Sequence, residues 1–214
     1  MINKKNIIEI IEKLKEYYPD ANCSLDFKTP FELVIAVMLS AQCTDERVNK
    51  ITPKLFEEYS TPEAICKMDL EVLENIIYPC GFYKNKAKNI KKMAEEIIEK
   101  YNGNVPKTME ELTNLPGVGR KSANVIMLEA FNNPQGIAID THAKRIANRV
   151  GLSNNKIPEK IERDILSLIP KEYYKDVNHL LVWHGRKICD SRKPKCEECP
   201  IKELCKTNKE NKIV

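Results

Sequence analysis

Three groups of residues in this 214-residue chain have types and spacings that could do chemistry. The first is Leu115-Pro116-Gly117-Val118-Gly119-Arg120-Lys121-Ser122-Ala123, where a proline and two of only seven glycines specify a tight hairpin between helices. Glycine has no Cβ, so the N–H groups of such a turn, and of the helix start after it, can approach an anion as closely as a DNA phosphate requires. An ordinary glycine-capped connection is the alternative. Lys121 falls in the first turn of the following helix, where the macrodipole, neighbouring Arg120 and any partial burial favour the neutral amine. A neutral lysine is a nucleophile toward carbonyl-type carbons and the anomeric carbon of a sugar, giving a Schiff base. A phosphate contact is the competing role, and both readings stay open at this point.

The second group is Ile137-Ala138-Ile139-Asp140-Thr141-His142-Ala143-Lys144-Arg145. An aspartate between an apolar triplet and a helical run can cap the helix by accepting backbone N–H bonds. One helix and one loop separate Asp140 from Lys121, so the carboxylate could also return to the same site, to stabilise positive charge on a sugar and deprotonate an amine. The third group is Cys189-x6-Cys196-x2-Cys199-x5-Cys205. Zinc ribbons usually pair two short Cys-x-x-Cys knuckles across a longer spacer, which is absent here, whereas four irregularly spaced thiolates with Pro194 and Pro200 between them can wrap a 4Fe-4S cube. Spacing alone leaves zinc open. A metal of either kind would fix a loop whose basic outer face meets phosphates.

The elements that must position these groups are helical. Apolar residues recur at helical spacing, as in Ile7, Ile8, Ile11 and Leu14, or Ile90, Met93, Ala94, Ile97 and Ile98, while period-two alternation is nearly absent. Cap-like starts fall at Thr29-Pro30, Asp45, Thr61-Pro62 and Pro158. The pattern predicts an all-α fold of about ten to twelve helices of roughly 8 to 18 residues. A helix is expected to end near Leu112, another to begin near Gly119 with an apolar run from Ala123 to Phe131, and the tail KTNKENKIV to fray.

Composition narrows the class. Charged residues make up 31% and apolar ones 42%, which excludes a disordered or collagenous chain. No apolar window approaches a membrane span, and the first twenty residues interleave charges with apolar residues where a signal peptide needs an unbroken stretch. The expectation is a soluble, intracellular protein with no membrane partner. Eight cysteines in a chain this long do not make a disulfide scaffold, and Cys23, Cys43, Cys66 and Cys80 read as buried or half-buried thiols. The basic excess is local: residues 184–195 carry five Lys or Arg against one Asp, residues 84–100 six Lys against three Glu, and residues 119–149 five basic against two acidic side chains. Such runs suggest a polyanion-binding surface, although a lysine run can also be a solvated helix face.

Together these segments resemble the endonuclease III family of helix-hairpin-helix DNA glycosylases. LPGVGRKSANV resembles its hairpin with the catalytic lysine, AIDTHAKR its catalytic aspartate segment, and the cysteine spacing its cluster loop. Ser40-Ala41-Gln42-Cys43-Thr44-Asp45 and Gly81-Phe82-Tyr83-Lys84-Asn85-Lys86-Ala87 extend the likeness over nearly the whole chain. The resemblance implies two all-α domains: a six-helix barrel at 25–133 containing the hairpin, and a discontinuous iron-sulfur cluster domain of 1–24 and 134–214, with Lys121 and Asp140 facing each other across a DNA cleft. It implies a bifunctional glycosylase and AP lyase that removes oxidised pyrimidines from duplex DNA through a lysine Schiff base and nicks the strand by β-elimination. Lys121 and Asp140 would be catalytic, and Cys189, Cys196, Cys199 and Cys205 would hold the 4Fe-4S cluster. Gln42, Phe82, Leu115, Gly117, Val118, Gly119, Arg120 and Lys193 would contact DNA, with Asp45 and His142 in the substrate pocket. A monovalent cation at the hairpin, a monomeric state and a cytoplasmic, nucleoid-associated location follow from the same likeness.

Two departures from the family pattern stand out: Phe82 occupies the wedge position where leucine is familiar, and the loop Asn132 to Gly136 is one residue longer. Phe82 could instead be a core aromatic and His142 a capping residue. A mismatch-specific glycosylase of the same superfamily would use water and lack the lysine. A non-catalytic hairpin protein with a structural metal would bind abasic DNA without cutting it, and a ferredoxin-like carrier fits the basic loop poorly.

Overall fold

The computed structural model describes residues 4–210, and among these every regular element is helical. The α-helices are α1 (Lys4–Tyr17), α2 (Pro30–Ser40), α3 (Asp45–Glu58), α4 (Pro62–Lys67), α5 (Leu70–Ile77), α6 (Tyr83–Tyr101), α7 (Met109–Asn114), α8 (Arg120–Glu129), α9 (Thr141–Val150), α10 (Pro158–Leu168), α11 (Tyr174–Lys187) and α12 (Lys206–Lys209). They run from 4 to 19 residues, a wider spread than periodicity predicts. The caps explain the short ones. Thr61 closes the start of α4 by accepting from Ala64 N, and Lys91 Nζ closes its end by donating to the carbonyls of Ile65, Cys66 and Met68. Thr29, Thr44 and Thr108 cap α2, α3 and α7 in the same way, each bond replacing a donor partner that the first helical turn lacks. The cap of α3 is therefore Thr44, and Asp45 is the first helical residue, one position later than its predicted role.

The chain divides into two compact units, one of Met1–Asn22 with Pro134–Val214 and one of Cys23–Asn133. In the second unit α2 is buried on every face from Phe31 to Leu39, because its sequence is apolar all round rather than on one stripe. Leu55 of α3, Leu73 and Ile77 of α5, Ile90 and Met93 of α6, and Ile126 of α8 close around it in one core. In the first unit Ile7, Ile10, Ile11 and Leu14 of α1 share a second core with Ile146 and Val150 of α9, Ile161 and Ile165 of α10, and Leu180 and Leu181 of α11.

Three expectations at element ends are corrected. The helix before the hairpin runs on to Asn114, and the one after it stops at Glu129 rather than Phe131. Lys206–Lys209, expected to fray, forms α12, because Thr207 donates its hydroxyl to Arg149 O at 2.7 Å. The final residues 211–214 lie outside the described residues.

Candidate functional site

In the Cys23–Asn133 unit, Val118 N donates to Leu115 O at 3.1 Å, with Pro116 second and Gly117 third at φ +80°. That is a type II turn, whose third position demands the left-handed region that glycine enters without strain. A Cβ on Gly117 would also lie 2.8 Å from Met38 Cε and 3.2 Å from Asn89 Cβ, so a larger residue would have to displace the Met38 side chain as well as strain the backbone. Gly119 differs: its φ is −90°, and nothing lies within 4 Å of where its Cβ would be. The fold does not require it, and its open flank is where a ligand could approach the first amides of α8.

Leu115 and Val118, read as DNA contacts, are 2% and 4% exposed with side chains in the core, so neither side chain reaches a ligand and both serve to seat the hairpin. Arg120 and Lys121 are exposed at the start of α8. The partial burial expected of Lys121 is therefore absent in the free protein.

Two exposed turns of the same unit carry left-handed residues that are not glycine. Cys43 N donates to Ser40 O at 3.0 Å across Ala41 (φ −59°, ψ 113°) and Gln42 (φ +55°), again a type II turn, but with glutamine where glycine is favoured. Gly81 at φ +68° and Phe82 at φ +48° form the other, directly after the 3-10 turn Tyr78–Cys80. Phe82 is 66% exposed, which removes the core-aromatic reading. A large apolar ring held mostly in solvent on a left-handed backbone opposes both local preference and burial. The Tyr78 and Tyr83 rings, 4.9 Å apart, pack against each other beside it. Asp45 is half-buried at the head of α3.

In the other unit, side chains hold the backbone of residues 136–138 that leads into Asp140. Asn178 Oδ1 accepts from Ala138 N at 2.7 Å, its Nδ2 donates to Gly136 O, and Glu162 Oε1 accepts from Ile137 N at 3.2 Å. Both side chains are buried, and neither was singled out from sequence; a polar residue on an apolar helix face was the available signal. Asp140 caps α9, its Oδ1 accepting from Ala143 N at 2.7 Å. The cap role is thus real, and it engages one carboxylate oxygen. His142 is half-buried, its Nδ1 3.2 Å from Arg145 Nη2, and it is not a cap.

Cys189 follows α11, Cys196 and Cys199 flank a 3-10 turn, and Cys205 precedes α12. All four line one cavity, together with Val150, Ile188 and Ile201. Among the described residues no three His, Cys, Asp or Glu side chains converge closely enough to hold a single ion. Four thiols around a void, rather than around a point about 2.3 Å from each sulfur, fit a multinuclear cluster better than zinc. Burial, then the neighbouring Cys189, Cys205 and Cys196, pushes the Cys199 thiol up to about 11, so a thiolate at that position requires a cationic body beside it. His184 is buried, which pushes its pKa down to about 4 and keeps the ring neutral. The Tyr18 hydroxyl, held protonated by burial, lies 3.1 Å from His184 Nδ1, and Cys199 Sγ lies 3.5 Å from its Nε2, so the neutral ring bridges the tyrosine and the cysteine.

The basic runs divide into internal and external lysines and arginines. Arg145 Nε donates to Cys189 O at 3.1 Å, and Arg149 donates to Asp190 O at 2.5 Å and Ser191 O at 2.7 Å, so these two arginines, one helical turn apart, strap the cluster loop to α9. In residues 84–100, Lys86 and Lys91 turn inward to backbone carbonyls. These charges, counted above toward a polyanion surface, hold the fold instead. Arg186, Lys187, Arg192, Lys193 and Lys195 are exposed.

A family model described as HhH-GPD superfamily base excision DNA repair protein matches residues 35–171, and one for the iron-sulfur binding domain of endonuclease III matches residues 189–205. Endonuclease III of Synechocystis sp. is 46% identical over 202 residues, 94% of this chain and 92% of the relative. Endonuclease III of Escherichia coli (strain K12) is 43% identical over 204 residues, 95% of this chain and 96% of the relative. Among solved structures, a non-covalent endonuclease III–DNA complex matches with a TM-score of 0.93 at 42% identity, covering 100% of both chains. A trapped endonuclease III–DNA covalent intermediate gives 0.93 at 43%, covering 99% of this chain and 100% of the other. A thermostable thymine-DNA glycosylase, at 24% identity and a TM-score of 0.87 over 96% of this chain and 98% of that one, shares the fold.

Proposed function

The chain belongs to the endonuclease III family within the HhH-GPD superfamily of base excision DNA repair proteins, and from that premise we propose that it excises oxidised pyrimidines from duplex DNA with Lys121 as nucleophile and Asp140 as its partner carboxylate. It is a bifunctional DNA glycosylase and AP lyase with a 4Fe-4S cluster. The observation that carries the assignment of the nucleophile is the placement of Lys121: exposed, in the first turn of α8, directly after a hairpin whose outward amides can seat a phosphate. A nucleophile that attacks a deoxyribose must be held within reach of the backbone, and this hairpin would hold the backbone.

The damaged nucleotide leaves the stack, because its sugar is inaccessible within the duplex. Phe82 and Gln42 enter the gap from their exposed turns, the ring by stacking and the amide by hydrogen bonding. Asp140 takes a proton from the Lys121 ammonium and balances the positive charge that develops on the sugar. Lys121 Nζ bonds to C1′ while the glycosidic bond breaks and its electron pair leaves with the base, which is protonated. Ring opening gives the Schiff base. Loss of a proton from C2′ then expels the 3′ phosphate by β-elimination, and water releases the lysine. Gly117, Gly119 and Arg120 hold the backbone, with His142 and Asp45 at the base pocket. Leu115 and Val118 fix the hairpin from the core.

Cys189, Cys196, Cys199 and Cys205 hold the cluster, which when bound supplies a rigid cross-link for the loop that presents Lys193 to the phosphates. The enzyme acts on the chromosome and is associated with the nucleoid. Among the described residues, no helix is long and apolar enough to cross a membrane.

The test is incubation with labelled duplexes containing thymine glycol, an abasic site, a uracil mismatch or no lesion, with borohydride added to half of each. A covalent adduct and a β-elimination nick on thymine glycol are expected. An adduct on the abasic site alone would overturn the base specificity, and binding without any adduct would overturn the lysine mechanism.

A further inference from the structure

Lys86 is a costly residue for α6. Its side chain is buried, with 8% of its surface exposed, and no carboxylate pairs with it; a charged amine taken from water is expensive unless its hydrogens find acceptors. Burial pushes its pKa below the usual lysine range. The Nζ donates to Leu39 O at 2.8 Å and to Cys80 O at 2.9 Å. Neither bond is local to α6. Leu39 lies in the last turn of α2, where a carbonyl lacks a helical partner, and Cys80 closes the 3-10 turn before Gly81.

The positions of those two carbonyls matter. Leu39 precedes the strained residue Gln42 by three positions, and Cys80 precedes the strained residue Phe82 by two. Lys86 N also donates to Phe82 O at 3.1 Å, so the residue grips the Phe82 turn from both sides. The Cys43 and Cys80 thiols, one on each segment, meet beside the amine. An ammonium with tetrahedral donors is a suitable tie between two turns that share no backbone ladder. A buried apolar side chain could fill the space but could not fix the distance between two carbonyls.

We propose that Lys86 is the positioning residue that clamps the Gln42 and Phe82 turns at one fixed separation, so that both side chains enter the duplex together when the damaged nucleotide is flipped out. This inference rests on the roles given above to Gln42 and Phe82. It adds a residue that touches neither DNA nor the reacting atoms and acts through both of them.

The readouts are single-turnover excision from a thymine glycol duplex, borohydride trapping on a single-stranded abasic oligonucleotide, and fluorescence of 2-aminopurine placed opposite the lesion. The single-stranded substrate needs no wedge. Lys86→Met should lower duplex excision about tenfold or more relative to single-strand trapping, and should abolish the 2-aminopurine rise on binding. Lys86→Arg, which keeps donors, should restore most of both. In a Gln42→Ala, Phe82→Ala background, Lys86→Met should change excision by less than about threefold, because both side chains it positions are already gone. An equal loss on both substrates, or a full multiplicative loss in that double background, would overturn the clamp. If Lys86→Met is recovered unfolded, Lys86→Gln, a shorter donor, enters the same cycle with the same two outcomes. Failure of the unsubstituted enzyme on thymine glycol would instead overturn the functional reading, so the two failures are distinguishable.

Discussion

Gly185, inside α11, lies so close to His142 on α9 that a Cβ added to it would stand 2.9 Å from His142 Cβ. Glycine inside a helix costs about 1 kcal/mol relative to alanine, so this position opposes local propensity in exchange for close helix approach. Arg145 Nη2 donates to Gly185 O at 2.7 Å through the same gap. Gly185→Ala should therefore destabilise the protein by about 1–3 kcal/mol despite its better propensity, because two Cβ atoms cannot share that distance without separating the helices. Thermal denaturation measures it, and an unchanged or higher melting temperature would show that the helices part freely.

Lys121→Ala should bind damaged duplex with little loss and form no borohydride-trapped adduct. Its exposed position at the head of α8 makes the substitution structurally mild. Gel trapping alongside a binding titration checks both halves, and an unchanged adduct would remove Lys121 from the reaction.

Asp140 has a structural and a chemical role that two substitutions separate. Asparagine caps a helix about as well as aspartate, whereas alanine in place of the Asp140 cap costs about 1 kcal/mol. Asp140→Asn should keep the melting temperature while excision falls about a hundredfold or more, the usual scale for losing a proton-transfer group. Asp140→Ala should lower both. Equal, near-wild-type excision by the two variants would leave Asp140 as a cap alone.

The cysteine cavity predicts colour. The purified protein should carry iron and absorb broadly in the visible range, and Cys199→Ser should lower the iron content and the melting temperature together, because Cys199 lines the cavity with the other three cysteines. A colourless, zinc-replete preparation would contradict the cavity argument.

Lys193 is exposed on the loop that the cysteines and Arg149 hold. Lys193→Ala should weaken binding to all duplex sequences alike and reduce the slope of log affinity against log salt by about one. Fluorescence anisotropy at several salt concentrations measures the slope, and no change would place the lysine off the DNA surface.

Much of the fold was legible because its signals are local. A 3.6-residue apolar period, threonines before helix starts and a Pro-Gly hairpin act over a few residues, so α2, α6 and the turn before Lys121 follow from neighbours in the chain. The same holds for Asp140 at the head of α9, where the cap chemistry is written three residues ahead. What the sequence by itself determined is the identity and order of the reactive groups: a lysine after a hairpin, an aspartate before a helix, four cysteines in seventeen residues. Only the tertiary structure decided which of the remaining polar groups serve those groups from inside. Lys86, Asn178, Glu162, Arg145 and Arg149 look like ordinary helix-face residues in sequence, yet each bonds a carbonyl or amide 6 to 47 positions away. Charge and periodicity cannot report such partners, because a side chain's burial depends on what the rest of the chain brings to it. Phe82 shows the converse: its sequence left a wedge and a core aromatic both open, and only its 66% exposure in a left-handed turn excluded the core.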